Sequence, residues 1–301
     1  MTLTYLGTGG WIMEHAGEML LTGPLFSNPD IFRVGFRPLI SDTALVDRYM
    51  GEYDVAAARA ILVGHGHYDH LMDVPRVSTR HAPSARIVGS TTVANALGTW
   101  SGLADRVEVV SGDDAGDRVT VGRWMAFGPR LRVMALRGHH GPHFDDLTLF
   151  KGTIDHPRRT QPSNAREWLD GPTYAFLIDF LNDAGETVFR IYYQDAVMQP
   201  PKGFAPEQVI AQRPVDVAIF VAATFDQVDW HPEAFVENLA PSSVILGHWE
   251  NFFTPMGEPT SALGISDLSY FERRLSSVLD GEWWRPEIGT VFHFSAASPP
   301  R

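Results

Sequence analysis

The sequence predicts an α+β protein of two packed β-sheets with helices outside. Three observations carry that expectation. Short β-type runs fall into two groups, one in each half of the chain; helix-like stretches interrupt both groups; and no repeat of fixed period marks a solenoid or propeller. The 301 residues are 44% hydrophobic and 20% charged, enough to bury a large core, so one large domain or two intimately packed halves is expected, taken as a single domain over 1–301.

In chain order, residues 3–6, 11–14 and 19–22 are β-type runs bounded by Gly, Asn or Asp, the pattern of an antiparallel meander. The run 60–63 is fully apolar, which suits a strand buried on both faces, and it passes directly into the loop 64–70. A helix-like stretch follows at 73–81, then a strand at 86–89, a helix from Thr91 with Thr91 or Ser90 as its cap, and a strand at 107–111. Further strands are expected at 119–121, 124–127 and 131–136. The second half continues with strands at 174–180, 188–193, 215–221 and 243–246 and helices at 206–212, 231–239 and 266–279. Between the halves, 141–172 carries Pro142, Pro157, Pro162 and Pro172 with scattered charges and little periodicity. So long an irregular segment in a compact domain reads as a lid or a binding wall. The end of the chain, 298–301, reads as a frayed tail.

Lys plus Arg number 24 against 36 Asp plus Glu, a net charge of −12 with no block of like charge. A phosphate backbone is held by a basic face, so nucleic acid is not the expected partner. The chain has no cysteine, so any metal must be held by His and carboxylate. The N-terminus lacks the basic start and apolar stretch of a signal peptide, and no segment reaches the ~18 apolar residues of a membrane span. A cytoplasmic protein without a transmembrane segment is expected.

The loop after the apolar run 60–63 reads Gly64-His65-Gly66-His67-Tyr68-Asp69-His70. A lone His is usually a satisfied core or surface residue. Three His and one Asp within six positions, starting where a buried strand stops, are not explained by packing, and neutral imidazole with carboxylate is a ligand set for zinc, iron or manganese.

This run matches without substitution the His-x-His-x-Asp-His signature of the metallo-β-lactamase superfamily, which the chain resembles from the first meander to the region of His248. The resemblance implies a four-layer αββα sandwich with the site at one edge between the sheets, and further ligands as single residues at strand ends. The His that follows a strand in a His-x-Pro setting corresponds to His140 in RGHHGPH, with His139 as the alternative and His143 facing substrate. The later Asp corresponds to Asp195 in favour of Asp179, and the last His to His248. Two divalent metal ions are implied, zinc first, with iron or manganese as alternatives. His65, His67 and His140 would hold one, and Asp69, His70 and His248 the other, with Asp195 bridging.

The activity implied is hydrolysis by a hydroxide shared between the two ions, with Asp69 and His140 as catalytic residues and Asp69 orienting the hydroxide. The 141–172 segment and the HWENFF ending look closest to the branch of sugar-phosphate lactonases and N-acylphosphatidylethanolamine-type phosphodiesterases. The expected substrate is therefore a small ester-like molecule, a lactone or phosphodiester, amphiphilic or phosphorylated. The chain departs from the family at Leu21-Thr22-Gly23-Pro24, where an Asp-Pro turn is common. A non-catalytic module of this fold would have lost ligands, whereas none of the seven positions is empty. A diiron oxidoreductase member would carry a flavodoxin domain, and a nuclease a basic track.

Substrate clues are thinner. Phe26, Phe32, Phe36, Phe144, Trp249, Phe252 and Phe253 fall in loops that could form an apolar wall, and Arg33, Arg37, Lys151, Arg158 and Arg159 could neutralise a phosphate or carboxylate.

Overall fold

A computed structural model describes residues 1–295, so the tail expected at 298–301 lies outside the described residues. The first half forms β1 (Thr2–Gly7), β2 (Gly10–His15), β3 (Glu18–Thr22), α1 (Ile31–Phe36), α2 (Thr43–Met50), β4 (Ala60–Leu62), α3 (Tyr68–Leu71), α4 (Val74–Arg76), β5 (Arg86–Gly89), α5 (Thr91–Ala96) and β6 (Val107–Val109). The second forms β7 (Trp124–Gly128), β8 (Leu131–Arg137), β9 (Tyr174–Leu181), β10 (Thr187–Gln194), α6 (Glu207–Gln212), β11 (Val217–Val221), α7 (Glu233–Leu239), β12 (Ser243–Gly247), α8 (Leu268–Val278), β13 (Glu282–Trp284) and β14 (Val291–His293).

Each half makes one seven-stranded sheet, in the orders β14-β1-β2-β3-β4-β5-β6 and β13-β12-β11-β10-β9-β8-β7. Both sheets start as antiparallel hairpins and continue as parallel strands: β1 to β3 pair antiparallel and β3 to β6 parallel, while β7 to β10 pair antiparallel and β10 to β13 parallel. Among the described residues only β14 crosses back, pairing with β1. A parallel strand needs cover on both faces, which is why β4 and β11 are buried at every position and read as unbroken apolar runs. One core joins the two sheets, with Trp11, Ile61, Phe176, Ile191 and Phe220 fully buried in it. The arrangement is the expected αββα sandwich.

Several elements differ from expectation. Residues 119–121 form no strand: the Asp117 carboxylate accepts from the backbone N–H of Val119 and Thr120, closing a turn that leaves Val119 exposed. The stretch 73–81 is not one helix but α4 followed by a π-helical turn, Val77–His81. Asp73 does not cap it; the buried carboxylate accepts instead from the N–H groups of Phe26 and Ser27 and the hydroxyls of Ser27 and Ser41. The short helices α1 and α2 were not anticipated, although each is capped by an Asp, Asp30 and Asp42, bonded to two N–H groups. Edge strands β13 and β14, three residues each, were too short to read. Among the described residues no helix is long and apolar enough to cross a membrane.

Candidate metal centre

Four strand ends converge. The loop after β4 delivers His65 to His70 from the first sheet, and β8, β10 and β12, which run in the same direction in the second, deliver His140, Asp195 and His248. The approach depends on missing side chains: a Cβ on Gly64 would lie 2.4 Å from Asp195 Cβ, and one on Gly66 would lie 2.4 Å from the Leu169 carbonyl oxygen. The chain turns at His67, which opens α3, so that Asp69 and His70 sit in the first turn and face the same side as the two imidazoles before them.

Candidate ligand atoms fall into three groups, each within 4.8 Å: His65, His67 and His140; Asp69, His70 and His248; and His65, His70 and Asp195. The rings of His65, His67 and His140 stand 4.7–4.8 Å apart between centroids, and those of His70 and His248 5.2 Å. Asp195, fully buried, joins the two sets: His65 Nδ1 lies 2.8 Å from its Oδ2 and His70 Nδ1 3.1 Å from its Oδ1, which also accepts from the Tyr193 hydroxyl. Of the expected residues His139 joins no group, whereas His140 does. Asp179 is elsewhere engaged, in a buried ion pair with Arg190 at 2.7 Å and Arg132 at 2.9 Å.

The nitrogens left over test whether cations fit. His140 Nδ1 lies 2.7 Å from the Gly141 carbonyl, which can only accept, so Nδ1 carries the proton and Nε2 keeps its lone pair. Nε2 of His65 and Nε2 of His67 are buried without a hydrogen-bond partner, and Nε2 of His248 lies 3.2 Å from Asp69 Oδ2. Unpartnered buried nitrogens are costly, and several converging in one cluster with two carboxylates suit divalent cations. The electrostatics agree. Burial pushes His67 and His140 well below the usual imidazole range, while at His70 the carboxylates of Asp195 and Asp69 outweigh burial and raise it to about 10. Burial works to raise both carboxylates, but His70 together with His248 at Asp69 and with His65 at Asp195 outweighs it and holds both low. The cluster is arranged around positive charge.

His248 has a φ of 50°, a left-handed conformation that needs outside support. Its N–H is 3.1 Å from both the Thr8 carbonyl and the Tyr5 hydroxyl, and the buried Glu250 carboxylate accepts from Tyr5 and from Thr8 N–H. Tyr5, Tyr193 and Glu250 escaped the sequence reading because an aromatic in a strand and a lone Glu carry no spacing signal.

The cluster opens into a cavity of about 350 Å³ whose other walls include Val34, Phe144, Phe150, Phe252, Phe253 and Leu263. His143 lines it too, stacked on His140 at 4.6 Å. Other expected wall residues are placed elsewhere: Phe26 is buried against Tyr49, and Trp249 is buried with its N–H on the Pro286 carbonyl. Arg158 is used internally, bonded to the Glu167 carbonyl. Arg166, which the sequence did not single out, lines the cavity.

No family model matches the chain, and no curated protein matches it. Solved structures do. Igni18, a metallo hydrolase from Ignicoccus hospitalis, is 18% identical with a TM-score of 0.56, over 98% of this chain and 99% of its own. The isothiocyanate hydrolase from Delia radicum gut bacteria is 15% identical with a TM-score of 0.55, over 98% and 100%. The metallo-β-lactamase fold protein YhfI from Bacillus subtilis is 13% identical with a TM-score of 0.52, over 97% and 99%. At such identities the likeness is one of architecture, and what it establishes, together with the paired seven-stranded sheets, is that this chain has the metallo-β-lactamase fold.

Proposed function

We propose that the protein is a metal-dependent hydrolase acting on a small ester-like substrate, a lactone or phosphodiester with an apolar portion. One observation carries the proposal: a triad of three His and a triad of two His with Asp69, linked through Asp195, stand at one wall of a cavity whose other walls are mostly apolar. His65, His67 and His140 would hold one divalent ion, and Asp69, His70 and His248 a second, with Asp195 between them; zinc suits the set, as do iron and manganese. Such a pair supplies Lewis acidity, which lowers the pKa of water and neutralises developing negative charge.

The chain's own residues do the rest. Asp69 Oδ2 faces His70 at 3.4 Å and His248 at 3.2 Å, and no described donor bonds its Oδ1, which would hold and orient the proton of an attacking water. His143, whose Nδ1 accepts from Leu149 N–H, fixes the wall beside His140. Segment 143–150 and α1 shield the site from bulk water. No Ser or Cys nucleophile is required.

Elemental analysis of the purified protein is expected to give close to two transition-metal ions per chain, and the loaded protein to turn over at least one member of a panel of lactones, phosphodiesters and thioesters. His67→Ala and Asp69→Ala are each expected to lower activity at least a hundredfold with the fold retained. Absence of metal after reconstitution, or near-native turnover in either variant, would overturn the proposal.

A further inference from the structure

Next to the metal cavity lies a second cleft, of about 480 Å³, whose lining includes Arg37, Pro38, Ser163, Asn164 and Arg166. The two spaces share Val34, Gly35 and Arg166 as walls, so one ligand could occupy both. Two arginines line the cleft and no carboxylate does. Among the described residues neither guanidinium pairs with an acid, although Asp and Glu outnumber Lys and Arg 36 to 24 and most other arginines have found a partner. Glu167, the sequence neighbour of Arg166, is spent on capping: its Oε2 accepts from the N–H and hydroxyl of Ser163 and the N–H of Asn164. In an acidic chain, two exposed guanidinium groups without an acidic partner, lining one cleft, offer charge-assisted donors to an anion.

We propose that Arg37 and Arg166 form an oxyanion subsite: the substrate's apolar body fills the metal cavity while a carboxylate or phosphate at its far end lies in the arginine cleft. Rigid, planar guanidinium groups are suited to bind either oxyanion by paired N–H donors. The remaining walls of the metal cavity, among them Val34, Phe144, Phe150, Phe252, Phe253 and Leu263, suit an apolar chain with one charge at one end. The subsite rests on the hydrolase proposal for its substrate, but its binding can be measured without turnover.

The test uses a matched ester pair, mono-4-nitrophenyl adipate and 4-nitrophenyl hexanoate, on the metal-loaded protein, alongside calorimetric titration with hexanoate and hexyl phosphate. Wild type is expected to favour the anionic ester in kcat/KM by about tenfold or more, the effect of one or two charge-assisted contacts. Arg37→Gln and Arg166→Gln are each expected to cut that ratio severalfold, and Arg166→Glu to invert it. Arg273→Gln, at an exposed position of α8, controls for net charge and should leave the ratio alone. Stronger binding of hexyl phosphate assigns the subsite to phosphate, and of hexanoate to carboxylate. If the ratio is unchanged in both glutamine variants, the subsite is wrong and the hydrolase proposal stands. If neither ester is hydrolysed, that proposal suffers instead, and calorimetry decides the subsite: ligand affinity weakened in both variants supports it, and affinity equal to wild type overturns it.

Discussion

Gly64 is where the loop from the first sheet passes against the second. An added Cβ would meet Asp195 Cβ at 2.4 Å and the Tyr174 carbonyl oxygen at 2.5 Å, and neither can rotate away. Gly64→Ala is therefore expected to cost about 1–3 kcal/mol of stability and to weaken metal binding roughly tenfold or more, by moving the carboxylate that holds His65 and His70. Denaturant unfolding and competition with a chelator measure the two effects, and native metal affinity would show that the contact does not set the site. A second residue works at a distance. His231 is fully buried among Phe220, Phe235 and Phe271, with Nε2 2.9 Å from Gln194 Oε1, which in turn accepts from Val221 N–H beside the Asp195 turn. Burial lowers its pKa from 6.5 to about 3. Between those values the unfolded chain takes up a proton that the folded chain refuses, so this contribution to stability is complete above pH 6.5 and is lost as pH falls toward 3. His231→Gln, which can keep the bond to Gln194 but does not titrate, is expected to show a stability loss between pH 7 and pH 5 smaller by up to about 1.4 kcal/mol per pH unit. Identical pH slopes would contradict this.

At the scale of elements, the cavity wall is made by the pieces hardest to read. Helix α1 has no buried residue, and Ile31, Phe32 and Phe36 are all exposed on it. It is held by its Asp30 cap and by four bonds to Asp73, three from Phe26 and Ser27 in the preceding loop and one from Ser41 in the following one. The 141–172 segment divides. Its second part is anchored on α5 and the body, with Trp168 buried, Asn95 bonded to the Ile154 carbonyl and Thr92 to Ile154 N–H, while 143–150 faces the cavity. Ile31→Ser and Phe144→Ser, both in the cavity lining, are expected to raise KM for long-chain esters roughly fivefold or more with kcat and metal content little changed, since each loses apolar contact made equally in ground and transition states. Equal KM for short and long chains in wild type and variants would remove α1 and 143–150 from the binding wall.

For the whole molecule, the centre is a clasp between sheets. The candidate ligands come from the loop after β4 in one sheet and from the ends of β8, β10 and β12 in the other, so ions bound there would tie the halves of the sandwich together. Chelation is expected to lower Tm by several degrees or more, reversed by added metal and dependent on its concentration, as a ligand bound only to the folded state requires. A Tm indifferent to chelator and metal would mean that the ions do not join the sheets. The sequence by itself determined the paired groups of strands, the fully apolar runs of β4 and β11 and the dense His65 to His70 run, because burial on both faces and ligand crowding are local patterns that packing cannot imitate. It left His139 against His140 and Asp179 against Asp195 as choices between neighbours of like chemistry. Only the tertiary structure brought His140 and Asp195 to the cluster and gave Asp179 to Arg190 and Arg132, since which carboxylate meets which cation depends on strand register across the sheet. It likewise decided α1, the Tyr5–Glu250 support of His248 and the Arg37–Arg166 cleft, whose members are weakly patterned alone and acquire meaning through contacts spanning from about 130 to over 240 positions of chain.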